Sequence, residues 1–374
     1  MISYSSPAEL LQALIQIPSV NPEGATNTAH TGEEKLAEFL QPILTNLGAE
    51  SVEIIDILPN RPNIVARFPS ASPDKPKLLF APHLDTVSVG TMTIPPFSGE
   101  ISNGKIHGRG ASDTKGTMAA MLWSFHELRE ILPTLEYQIY FAGLMGEEAG
   151  QIGARALAET FKPDFVIVGE PTKCKVVTAH KGSMWIEITT TGVAAHSSTP
   201  EKGDSAIFKM LDLLAWLRPA LTERFQKISY PDLGHPTFNF GILQGGERFN
   251  IIPNACTLTI DIRLIPDQSP EALLEFITQG ARKFDPDLRI DSTFSLPLNT
   301  DPSHPLVQRL AASGNGVTTA PWFCDAAPFG YQGVPAVAAG PGSIAQAHTD
   351  DEFLSLDDLE KGVRFYSSFL KACQ

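Results

Sequence analysis

Five segments of the chain run through apolar residues and then turn to His, Asp or Glu beside Gly or Pro. The first is Leu78-Leu79-Phe80-Ala81-Pro82-His83-Leu84-Asp85-Thr86. On extended backbone, residues i and i+2 point to the same side, so His83 and Asp85 share a face. That suits an imidazole bound to a metal through one nitrogen and oriented by a carboxylate on the other. A polar pair at a strand end is the plainer alternative. The second, Gly108-Arg109-Gly110-Ala111-Ser112-Asp113-Thr114-Lys115-Gly116, leads into a helical pattern. It is not a phosphate loop, because Lys precedes Gly and no apolar strand feeds it directly. Asp113 can cap the helix or bind a metal, and a carboxylate with about four lone-pair sites can do both. The third, Gly146-Glu147-Glu148-Ala149-Gly150, sets two carboxylates side by side. They repel unless a cation or proton lies between them; a solvated acidic turn is the alternative. The fourth is Val166-Ile167-Val168-Gly169-Glu170-Pro171, and the fifth brings His348 after the Gly-rich stretch Gly340-Pro341-Gly342-Ser343.

Each segment alone is a weak signal. Together they offer two His and several carboxylates at strand ends, enough for two metal positions. Mixed His and carboxylate ligation suits zinc, cobalt or manganese, and needs no cysteine. Two metals ~3.5–4 Å apart can share a carboxylate and a water whose pKa falls from 15.7 to about 7.

The elements that must position these residues alternate between helix and strand. Ser6, Pro7 and Glu9 form a capping-box signature ahead of Leu10, Leu11, Leu14 and Ile15. Thr31 and Glu34 repeat it ahead of Leu36, Phe39, Leu40, Ile43 and Leu47, with Gly48 as the stop. Strands are expected at Asn63–Phe68, Lys77–Ala81, Tyr137–Ala142, Phe165–Val168 and Ala336–Ala339. Met118, Met121, Leu122, Phe125 and Leu128 mark a helix among them. Strands without strict alternation, interleaved with helices, imply a sheet covered on both faces, and ligands of such sheets collect at the strand carboxyl ends. From about Gly182 to Pro297 the pattern changes. Met184, Ile186 and Ile188 alternate, as do Cys256, Leu258, Ile260, Ile262 and Leu264, so these strands keep one wet face. Helical patterns at Ile207–Leu217 and Leu273–Phe284 complete the order strand, helix, strand, strand, helix, strand, a split βαβ arrangement. The expected fold is therefore α/β: a mixed sheet flanked by helices, residues 1–181 and 298–374, with an inserted split-βαβ domain at 182–297.

The 374 residues are 43% hydrophobic and 19% charged, with 42 acidic against 28 basic side chains and a net charge of -14. A chain of this size divides into two domains or carries one large insertion. The acidity argues against nucleic-acid binding, which needs clustered cations. No apolar run approaches the ~18 residues of a membrane span. The opening residues carry no basic and apolar signal-peptide regions, so none is expected. Cys174, Cys256, Cys324 and Cys373 are far apart, which suits a reduced, cytoplasmic protein better than a disulfide framework.

The five segments, in this order from His83 to His348, resemble the dinuclear-zinc metallopeptidase family of acetylornithine deacetylase, succinyl-diaminopimelate desuccinylase and aminoacylases. The resemblance runs over nearly the whole chain and implies a zinc-peptidase-like catalytic domain with a ferredoxin-like lid and dimerisation domain. It implies that His83, Asp113 and Glu170 hold one zinc and that Asp113, Glu148 and His348 hold the other. Cobalt is the substitute metal. Asp85 would orient His83, and Glu147 would be the general base, moving a proton from water to the leaving amine. His196, in Gly192-Val193-Ala194-Ala195-His196-Ser197-Ser198, would serve the partner's site in a homodimer by donating to the oxyanion; an ordinary surface loop is the alternative. Asn250 would contact substrate. Arg263 would bind a substrate carboxylate or remain an exposed strand cation, and the loop around Gly342 offers backbone N–H groups.

Within the family, Gly340–Phe353 and Trp322–Phe329 are most similar to acetylornithine deacetylases. The resemblance implies a small-molecule N-acyl amino acid as substrate, N-acetylornithine first, and a place in arginine synthesis. Some deacetylases carry Glu near the position of Ala326, whereas this chain has Asp325, which keeps acetylcitrulline open. A desuccinylase or a small carboxypeptidase is the alternative within the family, and a metal-free binding scaffold the alternative outside it.

Overall fold

The computed structural model describes residues 4–23 and 30–374. They fall into two compact units, one within the bounds Met1–Ala179, Thr300–Thr318 and Cys324–Gln374, the other of His180–Asn299 and Thr319–Phe323.

The first unit is built on a mixed sheet. Its strands lie in the order Ser51–Leu58, Arg61–Arg67, Gln138–Gly143, Lys77–Pro82, Phe165–Gly169, Ala336–Ala339 and Val176–His180. Lys77–Pro82 runs parallel to both its neighbours, and Ala336–Ala339 parallel to Phe165–Gly169. These central strands are buried on both faces, the environment in which continuous apolar runs replace alternation. Helices Pro7–Ile15, Glu34–Asn46, Lys115–Glu127 and Leu356–Lys371 share one core with Leu78, Phe80, Phe141, Phe165 and Ile167. Phe80 stands edge-on to Phe125 at 5.0 Å and to Tyr366 at 5.9 Å. Each such side chain stabilises by about 1.5–3 kcal/mol through apolar burial. Ala326–Tyr331 packs on Phe165–Gly169 and Ala336–Ala339, and Ile152–Thr160 packs on Ala326–Tyr331.

The expected strands and helices of this unit are present, their ends moved by a residue or two. Ser6 Oγ accepts from the Glu9 N–H at 3.2 Å while Glu9 accepts from the Ser5 N–H at 2.8 Å. The second helix has Glu33, not Thr31, as its N-cap residue. Helix Glu34–Asn46 starts after Glu33 and has no side-chain cap; the buried Glu33 carboxylate instead accepts from Arg61 at 2.6 and 2.9 Å. Ser51–Leu58 is a strand absent from the sequence reading. It is a half-exposed antiparallel neighbour of Arg61–Arg67, and its mixed Glu, Ile and Asp pattern gives no clean period.

The second unit is a four-stranded antiparallel sheet in the order Thr237–Gly245, Ala255–Leu264, Gly182–Thr191, Arg289–Ser295. Met184, Ile186, Ile188, Leu258, Ile260 and Ile262 point into a core shared with helices Ala206–Gln226 and Pro270–Ala281. Ser205 and Ser269 cap those helices. Trp185, on the opposite parity, is 56% exposed. Among the described residues, no helix is long and apolar enough to cross a membrane.

Candidate metal centre

Strand register gathers the chemistry. Pro82 pairs with Gly169, Ala339 pairs with Gly169, and His83 bridges to Leu144. The parallel strands therefore end level, and the residues just past their ends, His83, Glu147, Glu148 and Glu170, are delivered to one place. His348 follows the loop that leaves Ala336–Ala339. The sharp loop geometry needs Gly342, whose φ is +80° and where an added Cβ would lie 2.7 Å from Ser112 Oγ.

His83 is buried between two acids. Its Nδ1 lies 2.8 Å from the Asp85 carbonyl oxygen and 3.6 Å from Asp85 Oδ1; its Nε2 lies 3.1 Å from Asp113 Oδ1. An Nδ1–H donated to the Asp85 carbonyl leaves Nε2 as the electron-pair donor. The Asp85 carboxylate has further tasks. Oδ1 accepts from the Glu147 N–H at 3.0 Å, and Oδ2 from the Glu148 N–H at 3.1 Å and from Asn21 Nδ2 at 2.7 Å. Asp85 thus holds the imidazole through its backbone carbonyl and shapes the Glu147–Glu148 turn through its carboxylate.

Asp113 is not a helix cap. Helix Lys115–Glu127 is preceded by Thr114 and has no side-chain cap bond, because the Asp113 oxygens are turned toward two histidines. Oδ2 lies 3.5 Å from His348 Nε2, which is itself 3.1 Å from Glu148 Oε2. Among the described residues, three trios have ligand atoms within 4.8 Å of one another: His83, Asp113 and Glu170; Asp113, Glu148 and His348; and His83, Glu147 and Glu148. The first two share Asp113. Glu148 Oε1 and Glu170 Oε1 are buried without a hydrogen-bond partner, an expensive state unless a cation completes it. The donor chemistry and these unpartnered oxygens fit a pair of divalent ions.

The electrostatics agree. Burial pushes Glu147 well above the usual carboxylate range; the charges of Glu170 and Glu148 add to this, and His83 opposes it. Glu170 is pushed well up by burial and by Asp113, against His83. His348 is raised to about 10 by its hydrogen bonds to Asp113 and Glu148. Burial works against Asp113 as well, yet His348 and His83 hold it far below the usual range. Acids outnumber bases here, in a place where unpaired charge is costly.

The other expected residues lie as follows. His196 is exposed on the second unit and brought next to Asn250: His196 bridges Ile251, and the Ser197 N–H donates to the Asn250 carbonyl at 3.0 Å. The Ser198 N–H points at His196 Nδ1 at 3.2 Å, with Ser198 Oγ at 2.7 Å. An N–H can only donate, so Nδ1 is the acceptor and Nε2 carries the proton. Arg263 stands on strand Ala255–Leu264, its Nε donating to Asp261 at 3.1 Å. Sequence reasoning missed Asn21, Ser198 and Glu352. Glu352 was in view as part of the His348 segment, but its partners are mostly backbone N–H groups, which leave no residue-type signal.

Residues 79–372 match Peptidase family M20/M25/M40. The chain is 32% identical over 363 residues to an acetylornithine deacetylase of Edwardsiella ictaluri (strain 93-146), covering 93% of this chain and 92% of that protein. It is 33% identical over 365 residues to one of Klebsiella pneumoniae (strain 342), covering 92% of each. Among solved structures, it is similar to an M20 family metallo-carboxypeptidase of Sulfolobus solfataricus, with TM-score 0.80, 20% identity, and coverage of 98% of this chain and 99% of that one. It is also similar to a dinuclear metal-binding M20 peptidase of Bacillus subtilis, with TM-score 0.69, 13% identity, and coverage of 98% and 97%. The strand-end acids and histidines of this chain thus sit in a sequence and a fold of one kind, and the chain belongs to the M20/M25/M40 peptidase family of hydrolases.

Proposed function

We propose that the chain hydrolyses the amide bond of N-acyl amino acids, with N-acetylornithine as the preferred substrate and ornithine and acetate as products. The observation that carries the chemistry is the sharing of Asp113 by two ligand trios, with Glu147 beside them. Support for the substrate comes from relatives named acetylornithine deacetylase, which align over more than nine-tenths of the chain.

In this reading His83, Asp113 and Glu170 hold one divalent ion and Asp113, Glu148 and His348 the other, zinc by preference and cobalt as substitute. When bound, the ions supply Lewis acidity toward the carbonyl oxygen and lower the pKa of water from 15.7 to about 7. Glu147 takes the proton of the attacking water and returns it to the leaving nitrogen, work worth about 10²–10⁴-fold. Asp85 sets Glu147 by gripping its backbone N–H. His196, with its proton on Nε2, donates to the oxyanion of the partner's site. Asn250, Arg263 and the Gly342 loop bind the substrate's amino-acid end, Arg263 taking a carboxylate.

The second unit serves as lid and dimerisation domain. The homodimer reading is supported by the sheet-edge strand Thr237–Gly245 and by the exposed Phe208, Leu211, Ile242 and Leu243 of the same unit. The cytoplasm as compartment is supported by four free, buried cysteines.

The test is hydrolysis of N-acetyl-L-ornithine beside N-acetyl-citrulline, N-acetyl-methionine and N-succinyl-diaminopimelate, with zinc, with cobalt and with chelator. Preference for acetylornithine, lost on chelation, is the expected result. Chelator-sensitive activity on another substrate keeps the chemistry and discards this substrate; activity that survives chelation discards the chemistry.

A further inference from the structure

The Gly108–Gly116 loop lacks the residue order of a phosphate loop, yet its backbone amides still converge on an anion, a side chain of the same protein. The backbone N–H groups of Gly110, Ser112 and Asp113 converge on the fully buried Glu352. Oε1 accepts from Ser112 N at 2.9 Å and Asp113 N at 3.0 Å. Oε2 accepts from Gly110 N at 3.0 Å and Arg109 Nη1 at 2.8 Å. Successive amides turned onto one anion form the nest that elsewhere binds phosphate. The seat of Glu352 is itself anchored. The Gly108 N–H donates to the Glu352 carbonyl at 3.0 Å, and strand Phe353–Ser355 pairs with Lys105–His107. On the far side, Arg109 Nη2 donates to the Ser88 carbonyl at 3.1 Å.

We infer that Glu352 is a positioning residue for the metal centre: it fixes the shared ligand Asp113 through the backbone and, four residues beyond His348, ties the two ligand-bearing segments together. The inference rests on the reading of Asp113 as the shared ligand. Glu352 makes no contact with substrate or metal in this reading. Its effect passes through the loop, whose three N–H groups would be left buried and unpaired without it. A loop relaxed to re-pair them carries the Asp113 carboxylate away from the line between His83 Nε2 and His348 Nε2.

Glu352→Gln keeps size and shape, but presents an NH₂ to donors on one side. The measurement is zinc affinity of the full chain, by competition with a chromogenic chelator, for the unmodified protein, E352Q and D113N. The cobalt(II) absorption spectrum of each gives the ligand geometry, and thermal unfolding of each metal-free protein gives the fold. Both zinc affinities of E352Q are expected to fall about 10–100-fold, the range for loss of a group that orients a ligand, with an altered cobalt spectrum in folded protein. A purely structural role would lower the unfolding temperature and leave affinities and spectrum unmoved, which overturns the inference. If D113N weakens both sites while E352Q stays within threefold, the inference alone falls. If D113N weakens neither, the shared-ligand reading falls and takes the inference with it. Should E352Q fail to fold, E352D carries the same test: it keeps the charge but withdraws both oxygens by one C–C bond, and a smaller loss at both sites is expected.

Discussion

Replacing Asp85 by Asn separates the two tasks of that residue from the charge it carries. In the native site the carboxylate accepts three short bonds, from Glu147 N, Glu148 N and Asn21 Nδ2. Burial pushes its pKa up, but His83, Asn21 and the Glu148 N–H outweigh this and hold it below the usual range. An Asn has one acceptor. Its better orientation keeps the oxygen toward Glu148 and Asn21 and turns the NH₂ onto the Glu147 N–H and His83 Nδ1. Two buried donors, the Glu147 N–H and the new amide NH₂, are then unpaired, at about 1–3 kcal/mol each, partly offset because a buried charge has been removed; His83 Nδ1–H keeps the residue-85 carbonyl. A net loss of about 2–3 kcal/mol lowers the unfolding temperature of a unit this size by about 4–12 °C. The freed group is the backbone of the proposed base, so activity should fall further than stability alone explains, and zinc affinity should drop about 10–100-fold. Asn21→Leu is the comparison: it removes one donor from the other oxygen, should lose about 1 kcal/mol, and should leave zinc affinity within threefold. The assay is thermal unfolding of chelated protein beside zinc competition and turnover on N-acetylornithine. D85N within 2 °C and threefold of the unmodified protein would refute the role given to Asp85.

Glu147→Gln should retain both metal ions, read by metal analysis of the purified protein, while kcat falls about 10²–10⁴-fold; unchanged turnover would remove Glu147 as the base. Ser198→Ala removes a hydroxyl from His196 Nδ1 but leaves the backbone N–H, so kcat should fall about 2–10-fold, as for one neutral hydrogen bond, with metal content unchanged. Asp325 is buried with neither oxygen partnered; burial, with the charges of Asp85 and Glu148, raises it to about 8 against His83 and Arg155. Between its unfolded value near 4 and about 8, the folded chain holds this proton more tightly than the unfolded one, so stability declines as pH rises through that window. Asp325→Asn cannot lose a proton there. The advantage of the variant in unfolding temperature, measured on chelated protein, should therefore grow from pH 5 to pH 8, and a flat difference would contradict the assignment.

The segments of the proposed metal centre were legible because buried parallel strands are written as unbroken apolar runs, and Lys77–Ala81, Phe165–Val168 and Ala336–Ala339 could be read directly. A polar residue stranded at the end of such a run is conspicuous. What sequence does not carry is register. That His83 lies beside Leu144, and Pro82 beside Gly169, turns separate strand ends into one site, and only the paired sheet shows it. The Thr31–Glu34 signature misplaced the helix start, which follows Glu33, and the Glu33 carboxylate is taken by Arg61, far along the chain. Glu352 stayed hidden because three of its four donors are amides that any residue could supply.

His83, Asp113 and Glu170 are all buried, whereas the His348 side chain is 55% exposed. The two halves of the centre therefore differ in access as well as in ligands. In the proposed centre, an ion beside His348 would have an open flank through which water or a competing chelator could enter stepwise. One held by the buried trio must wait for the loops around it to open. In such a centre exchange would be unequal, the open side filling and emptying faster than the closed one. A preparation handled in dilute chelator would pass through a half-filled form with one ion per chain, and its history would set its starting activity.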